Sequence, residues 1–260
     1  MKGAIIGDII GSTHEFKKLA PPNFKLFTRN SRYTDDTVLT VALADAILHG
    51  KNWRETIRKY YKAYPDRGYG SAFKRWAESN AQKGYNSYGN GSAMRVSPVG
   101  WAVHNLTDVY RIARRSAIAT HSHAEGIKGA ENIAGCIYMA RMYRPKHVIK
   151  QYTCDMNIPA TMQEARKINL ENIYAHDACS CQNTVPLAIR AFLSSRNFTD
   201  TIRLSVRLGG DTDTLAAMSG GIAEAYYGGV PKNLWKEAMT RLEPEFIEVI
   251  DEFYEKYIGG

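Results

Sequence analysis

Two short acidic segments, far apart in the sequence, carry the residue types that are most suited to chemistry. They read Thr34-Asp35-Asp36-Thr37 and Gly209-Gly210-Asp211-Thr212-Asp213-Thr214, and each immediately precedes an apolar run with helical spacing. A negative charge at a helix N-terminus contributes only about 0.3–1 kcal/mol, so capping explains one acid in each segment and not two. Paired carboxylates repel, and burying them against an apolar helix is costly unless a cation compensates them. The pattern therefore predicts a metal site.

The ligand atoms indicate which metal and which reaction. All four acids of these segments offer only oxygen, which suits Mg²⁺, Mn²⁺ or Ca²⁺, whereas zinc favours His and Cys. Four carboxylates balance the charge of two divalent cations. Two such ions lower the pKa of a shared water, so hydroxide is available near neutral pH and hydrolysis is the expected chemistry. A pair of solvated helix caps is the alternative.

Two further segments carry polar residues that a binding site could use. In Ser87-Tyr88-Gly89-Asn90-Gly91-Ser92-Ala93-Met94-Arg95, the glycines let backbone N–H groups converge on a phosphate at a helix start. By themselves, these residues favour an ordinary tight turn. His121 and His123 are two residues apart, which disfavours a shared metal on a helix and leaves capping, packing or ligand contact open.

The first residues of the chain have the spacing of a helix that packs closely. Gly3, Gly7 and Gly11 are four residues apart, so one face of such a helix presents only backbone and another helix can approach it. Asp8 and Glu15 are seven residues apart, about two turns, and share a face if the helix extends that far. On their own, these two acids are expected at the surface.

The elements that must position these segments are predicted to be helices. Apolar residues recur at helical spacing in 38–48, 53–64, 72–81, 109–119, 127–143, 185–193, 215–227 and 246–257. Typical helix-start and helix-end residues flank several of these runs: Pro186, Pro244, Gly50, Gly84 and Gly228. Alternation of the strand type is almost absent. We expect a compact all-α fold with a central dimetal site, forming one domain over residues 1–260.

Composition narrows the class of protein. With 44% hydrophobic and 23% charged residues, the chain has the content of an ordinary globular protein. No run approaches the roughly 18 apolar residues of a membrane span, and we expect a cytoplasmic protein that does not bind membranes. The formal charge of +8 is spread over scattered cations, which indicates an anionic ligand and disfavours nucleic acid. The cysteines show no CxxC pair and are expected to be free buried thiols: Cys136, Cys154, Cys179 and Cys181.

Taken together, the motifs resemble those of the ADP-ribosylglycohydrolases, also called ADP-ribosyl-acceptor hydrolases. The match runs in order through Gly7-Asp8-x-x-Gly11-x-x-x-Glu15, Thr34-Asp35-Asp36-Thr37, Tyr88-Gly89-Asn90-Gly91-x-x-Met94-Arg95, Thr120-His121 and Gly209-Gly210-Asp211-Thr212-Asp213-Thr214. It extends from residue 3 to residue 231 or so. Any one motif can arise by chance, whereas five in this order and spacing are specific.

The resemblance implies a set of site residues around two Mg²⁺ or Mn²⁺ ions. The implied metal ligands are Thr34, Asp35, Asp36, Asp211, Asp213 and Thr214. The implied substrate-binding residues are Ser87, Tyr88, Gly89, Asn90, Gly91, Ser92, Met94 and His121. The implied catalytic residues are Glu15, Asp35, Asp36 and Asp213. Among these, Glu15 matches a glutamate that acts near the scissile bond, either as acid and base or as a gate sensitive to metal occupancy.

The resemblance also implies the reaction, which is hydrolysis at C1 of the distal ribose. The partner is an ADP-ribosylated protein or another ADP-ribosylated acceptor, the product is ADP-ribose, and the enzyme is expected to be a monomer. The acceptor stays open among arginine, serine, an ester and a nucleic-acid base, with nucleic acid disfavoured. Arginine-directed members place a further aspartate in the region where this chain reads Tyr64-Pro65-Asp66-Arg67-Gly68, and this departure leaves arginine as one acceptor among several. Two alternatives are another dimetal hydrolase, acting on a nucleotide or phosphate ester, and a non-enzymatic ADP-ribose-binding protein.

Overall fold

The computed structural model describes residues 1–153 and 155–259, and within these ranges the chain is built of α-helices without a sheet. The helices are α1 (Lys2–Gly11), α2 (Asp35–His49), α3 (Trp53–Ala63), α4 (Ser71–Glu78), α5 (Gly91–Met94), α6 (Ser97–Ala102), α7 (Leu106–Ile118), α8 (Ala124–Arg141), α9 (Lys146–Tyr152), α10 (Met162–Asn172), α11 (Cys181–Ser194), α12 (Phe198–Val206), α13 (Thr212–Tyr226), α14 (Lys232–Met239) and α15 (Pro244–Tyr257). The predicted all-α class is confirmed.

All eight predicted apolar runs fall on helices, with shifts at their ends. The run 72–81 is three residues too long, because α4 ends at Glu78. Pro186 does not begin a helix but lies inside α11, which starts five residues earlier at Cys181. Gly50 ends α2 in the left-handed conformation, with φ 62°, as expected of a glycine after a helix. Most of the helices without a predicted run are short, so they contain too few apolar repeats to be seen in the sequence.

Helices α1 and α13 pack face to face at the centre of the fold. A methyl group at Gly7 would overlap the carbonyl oxygen of Ala216, and Gly3 and Gly11 face α13 backbone in the same way. The glycine spacing therefore does what the sequence indicated, since it lets two helix backbones approach closely. As a consequence, the start of α13, with its acidic segment, lies beside the end of α1.

The start of α2 is held against α1 by Asp8. Its carboxylate accepts hydrogen bonds from the backbone N–H groups of Thr34 (2.9 Å) and Thr37 (3.1 Å) and from both threonine hydroxyls (2.8 and 2.5 Å). The expected surface position of Asp8 is thus wrong, because the side chain is fully buried. Burial raises the pKa of this carboxyl to about 6. Asp8 thus fixes the first acidic segment to α1, and the glycines of α1 hold that helix against α13, which carries the second segment.

Glu15 reaches the same region by a turn and not by a helix. Helix α1 ends at Gly11, so the expected shared helical face of Asp8 and Glu15 does not form. The following residues are turns, and the N–H group of Phe16 donates to the carbonyl oxygen of Gly210 at 2.8 Å. This bond ties the segment to the glycines before α13, so that Glu15 is half-buried beside the second acidic segment.

Two other expectations concern the cysteines and the membrane. Cys136 and Cys181 are free and buried, whereas Cys179 is free but exposed, because it lies in the loop before α11. Cys154 lies outside the described residues. Among the helices of the described ranges, none combines the length and the apolar composition that a bilayer crossing requires.

Candidate functional site

Helices α2, α5 and α13 begin around one cavity of about 710 Å³. Its acidic wall consists of Glu15, Asp35, Asp36, Asp211 and Asp213, together with the hydroxyl group of Thr214, and the exposed Asp177 lines the cavity from the loop before α11. Carboxylates in the first turn of a helix gain about 0.3–1 kcal/mol from the helix dipole, which offsets only a small part of their mutual repulsion. The sequence therefore places paired acids at helix starts, and the fold brings the two starts together.

The acids from the two ends of the sequence lie within reach of one ion. Oxygen atoms of Glu15, Asp211 and Asp213 all lie within 4.8 Å of one another. Asp211 is oriented by the side-chain amide of Asn90, which donates to its Oδ2 atom at 2.8 Å. Asn90 was predicted to bind substrate, and in the structure its amide braces a carboxylate of the acidic wall.

Asp36 lies at the base of the acidic wall, with only 3% of its surface exposed. The hydroxyl of Thr214 donates to its Oδ2 atom at 3.2 Å, and the hydroxyl oxygen of Thr34 lies 3.4 Å from the same atom. The Oδ1 atom of Asp36 has no hydrogen-bond partner among the described residues. A buried, charged oxygen without a partner is costly, so this atom points to a ligand that the protein does not supply.

The electrostatics of the wall lead to the same conclusion. Burial, followed by the charges of neighbouring aspartates, raises the pKa of Asp36 and of Asp213 well above the usual carboxyl range. Burial and then the charge of Asp211 raise the pKa of Glu15. None of these carboxylates forms a salt bridge with a lysine, arginine or histidine of the described residues. The cluster requires either protons or an external cation.

The donor set fits a hard divalent cation. It consists of carboxylate and hydroxyl oxygens, with no imidazole, and the orphaned Asp36 oxygen marks a position that a cation would occupy. Five of the six predicted metal ligands line the cavity, and Thr34 lies behind them against Asp36. Glu15 was not among the predicted metal ligands, but its carboxylate lies close enough to those of Asp211 and Asp213 to share an ion with them.

The glycine-rich turn forms a further part of the cavity lining and meets the acidic wall where Asn90 contacts Asp211. Some of its backbone donors are already used, since Gly89 N–H donates to Ser87 Oγ (3.0 Å) and Asn90 N–H to the carbonyl oxygen of Cys179 (2.8 Å). This corrects the expectation that the whole turn offers N–H groups to a phosphate. The N–H groups of Gly91 and Ser92, at the start of α5, make no hydrogen bond to the described residues.

Not every predicted substrate-binding residue reaches the cavity. Ser92 is fully buried, and its hydroxyl donates to the carbonyl oxygen of Gly126 at 2.7 Å. The others line the cavity: Ser87, Tyr88, Gly89, Asn90, Gly91, Met94 and His121. Asp66 is exposed and lies outside the cavity lining.

The two histidines have separate roles. His123 caps α8, since its Nδ1 atom accepts from Glu125 N–H at 3.2 Å. His121 is buried at the cavity wall, and a Cβ atom at Gly91 would lie 3.0 Å from its Nε2 atom. Burial, and then the charge of Arg95, lowers the pKa of His121 well below its usual value. His121 is therefore a neutral imidazole that faces the glycine-rich turn.

Several residues of the site were not predicted as such. Asp8 and Arg95 belong to recognised motifs, but their contacts join segments that are far apart, so no local pattern shows their roles. Phe73, Tyr85 and Cys179 also line the cavity and carried no functional signal in the sequence.

Comparison with known proteins identifies relatives over nearly the whole chain. The family model described as ADP-ribosylglycohydrolase matches residues 1–259. ADP-ribosylhydrolase ARH3 from Homo sapiens is 29% identical, covering 94% of this chain and 88% of the relative. ADP-ribosylarginine hydrolase Tri1 from Pseudomonas putida (strain GB-1) is 25% identical, covering 95% and 76%. A solved structure described as an ADP-ribosylglycohydrolase-related protein complex is similar with a TM-score of 0.70 and 26% identity, covering 98% of this chain and 95% of that one.

Proposed function

The chain belongs to the ADP-ribosylglycohydrolase family, and from this premise we propose that it frees an acceptor from ADP-ribose by hydrolysing the bond at C1 of the distal ribose. We further propose that the reaction uses two divalent cations, Mg²⁺ or Mn²⁺. The observation that supports both proposals is the acidic wall, in which buried and half-buried carboxylates from three segments face one cavity and form no salt bridge with a cation of the described residues.

The proposed cation ligands are Thr34, Asp35, Asp36, Asp211, Asp213 and Thr214. Their support is the all-oxygen donor set and the unpartnered Oδ1 atom of Asp36. Held by these residues, the cations would offset the mutual repulsion of the carboxylates and would supply Lewis-acid chemistry that makes water more acidic. Asn90 and Asp8 hold the ligands in place, the first through Asp211 and the second through the start of α2.

Side chains of the protein stabilise the charge that develops at the ribose. Departure of the acceptor gives the C1 atom oxocarbenium character, and carboxylates of the acidic wall stabilise that positive charge. We assign Glu15 a proton transfer at the scissile bond, because it is half-buried, faces the cavity and lies beside Asp211 and Asp213. Glu15→Gln should lower kcat about 10²–10⁴-fold while ADP-ribose still binds. Lost ADP-ribose affinity with unchanged kcat would contradict the assignment.

We propose that the diphosphate of ADP-ribose binds at the glycine-rich turn. The unused N–H group of Gly91 and the Nε2 atom of His121, both in the cavity lining, are the donors that support this placement. The cavity volume of about 710 Å³ is within the range of roughly 300–1,000 Å³ that is typical of small-molecule sites.

Product analysis tests the proposal. Peptides carrying ADP-ribosyl-serine and ADP-ribosyl-arginine are incubated with the enzyme, with and without Mg²⁺ or Mn²⁺, and the products are identified by mass spectrometry. We expect free ADP-ribose and unmodified peptide from at least one substrate, and no turnover after chelation or by Asp213→Ala. Asp45→Asn is the matched control, since Asp45 is also buried in α2 but binds Lys51 Nζ at 2.7 Å. Release of phosphate or AMP would identify a different dimetal hydrolase, and full turnover by chelated Asp213→Ala would exclude the metal mechanism.

A further inference from the structure

A fully buried arginine in the lining of the ligand cavity has no ionic partner among the described residues. Arg95 forms no salt bridge within residues 1–153 and 155–259, and only its Nη2 atom makes hydrogen bonds. These bonds go to the carbonyl oxygen of Ser116 at 3.1 Å and to the hydroxyl oxygen of Thr120 at 2.7 Å. Burial lowers the pKa of Arg95 to about 10, so the side chain is still a cation at neutral pH. It can donate hydrogen bonds and cannot accept them.

The contact with Arg95 determines what the Thr120 hydroxyl can do. This hydroxyl is fully buried and has two partners among the described residues, Arg95 Nη2 and His121 Nδ1, the second at 2.6 Å. Because the arginine donates, the hydroxyl oxygen already accepts one hydrogen bond, and its own hydrogen needs an acceptor. The Nδ1 atom of His121 is the acceptor that lies in reach. If Nδ1 carried a proton instead, the hydroxyl hydrogen would be left buried without a partner, which costs about 1–3 kcal/mol.

We propose that Arg95 and Thr120 are positioning residues that hold His121 as the neutral tautomer with its hydrogen on Nε2. In this arrangement, Arg95 donates to Thr120, Thr120 donates to Nδ1, and the Nε2–H group faces Gly91 across the cavity wall. The histidine is then a fixed hydrogen-bond donor for an anionic group of the ligand. That last step rests on the proposed function, whereas the tautomer is a property of the protein without ligand.

The arrangement also explains why the histidine stays neutral. An imidazolium carries hydrogens on both nitrogens, so protonation would turn Nδ1 from an acceptor into a donor facing the Thr120 hydroxyl. It would also add a second buried positive charge next to Arg95. A neutral donor does not change its charge near neutral pH, and it differs in this respect from an exposed histidine with a pKa of about 6.5.

The first test is spectroscopic and needs no substrate. Ring ¹⁵N and ¹H shifts of ¹⁵N-histidine-labelled protein report the tautomer, and the His121 signals are assigned by their loss in His121→Gln. We expect an unprotonated Nδ1 and a protonated Nε2 at pH 7. A proton on Nδ1, whether as the other tautomer or as imidazolium, would overturn the proposal. Since this result is read without ligand, it is independent of whether the enzyme hydrolyses ADP-ribosyl bonds.

The second test uses a pair of variants at Thr120. Thr120→Ser keeps the hydroxyl, and Thr120→Val replaces it with a methyl group of similar size. By calorimetry, ADP-ribose should bind the valine variant about tenfold more weakly and the serine variant within about twofold of wild type. The tautomer signals should change in the valine variant and stay in the serine variant. Equal affinities, or an unchanged tautomer in Thr120→Val, would show that Thr120 only packs.

The third test addresses Arg95 itself. Arg95→Met removes the obligatory donor but keeps an apolar stem, so the Thr120 hydroxyl is free to reverse its hydrogen bond with His121. We expect a population with the proton on Nδ1 to appear in the folded variant. An unchanged tautomer in folded Arg95→Met would show that Arg95 does not position His121. If this variant does not fold, the tautomer of the wild-type protein and the Thr120 variants still test the proposal.

Discussion

Replacement of Asp36 by asparagine should make the metal-free protein more stable and the metal-loaded protein no more stable than wild type. Asp36 is buried, its Oδ1 atom has no partner, and its neighbours include Asp8 and Asp35. In Asp36→Asn, the amide oxygen can still accept from Thr214, and the amide N–H₂ group becomes a donor toward the surrounding carboxylates. The change removes one buried charge and keeps the shape of the side chain.

Burial raises the pKa of Asp36 well above the usual carboxyl range. The neighbouring Asp8 gives a scale for one buried carboxyl of this region. Burial raises its pKa from 3.8 to about 6, and at about 1.4 kcal/mol per pKa unit the ionisation of Asp8 costs the folded protein about 3 kcal/mol. We expect Asp36→Asn to raise the free energy of unfolding of the metal-free protein by about 1–3 kcal/mol, which for a chain of this size is about 2–4 °C in Tm per kcal/mol.

The assay is thermal unfolding in chelator and in Mg²⁺ or Mn²⁺. Wild type should gain about 2.7 kcal/mol when the metal is at 100 times its Kd, whereas Asp36→Asn should gain little. Asp45→Asn is the control, because Asp45 is buried in the same helix but paired with Lys51. It should lower stability equally with and without metal. If Asp36→Asn also lowers stability in chelator and responds to metal as wild type does, Asp36 is an ordinary structural carboxylate and the reasoning is refuted.

Three further predictions concern pH, helix packing and the glycine-rich turn. The folded-state pKa of Asp8 lies above its unfolded value, so the folded protein holds the proton more tightly and ionisation of Asp8 destabilises it. In chelator, the free energy of unfolding of wild type should therefore fall relative to that of Asp8→Asn as the pH rises from about 4 to about 6. Denaturant titrations that give a constant difference would contradict this. Gly7→Ala should lower the free energy of unfolding by about 3 kcal/mol, because the methyl group meets helix backbone that cannot move aside, whereas Gly70→Ala, where the described residues leave open space, should change it by less than about 0.5 kcal/mol. Gly91→Val should weaken ADP-ribose binding in calorimetry more than His121→Ala does, because a side chain at this glycine meets the imidazole and blocks the close approach of phosphate; an unchanged Kd in folded Gly91→Val would mean that the diphosphate binds elsewhere.

The sequence predicts the parts of this protein that depend on local patterns. Helical spacing gives the all-α fold, and two acids before an apolar run mark the starts of α2 and α13. The glycines of α1 indicate a close helix contact, although the partner helix can be identified only once the two backbones are seen together.

The parts that the sequence does not predict depend on contacts between distant segments. Asp8 was expected at the surface because a lone acid in an apolar helix has no visible partner, and its hydrogen-bond donors lie 26 and 29 residues away. Glu15 reaches the acidic wall through the bond between Phe16 and Gly210, which breaks the helical register that the spacing indicated. The link from Arg95 through Thr120 to His121 joins residues 25 positions apart. The cytoplasmic location, the single domain and the monomeric state stay predictions.

Turnover in H₂¹⁸O tests the central claim most directly, which is that water attacks C1 of the distal ribose in a reaction that requires divalent cations. The better of the two ADP-ribosylated peptides is converted by chelated enzyme to which Mg²⁺ or Mn²⁺ has been restored, and both products are analysed quickly by mass spectrometry. We predict one ¹⁸O atom in ADP-ribose, none in the freed peptide, and no conversion before the metal is restored. Label in the peptide or in a phosphate group, or equal conversion without metal, would contradict the account.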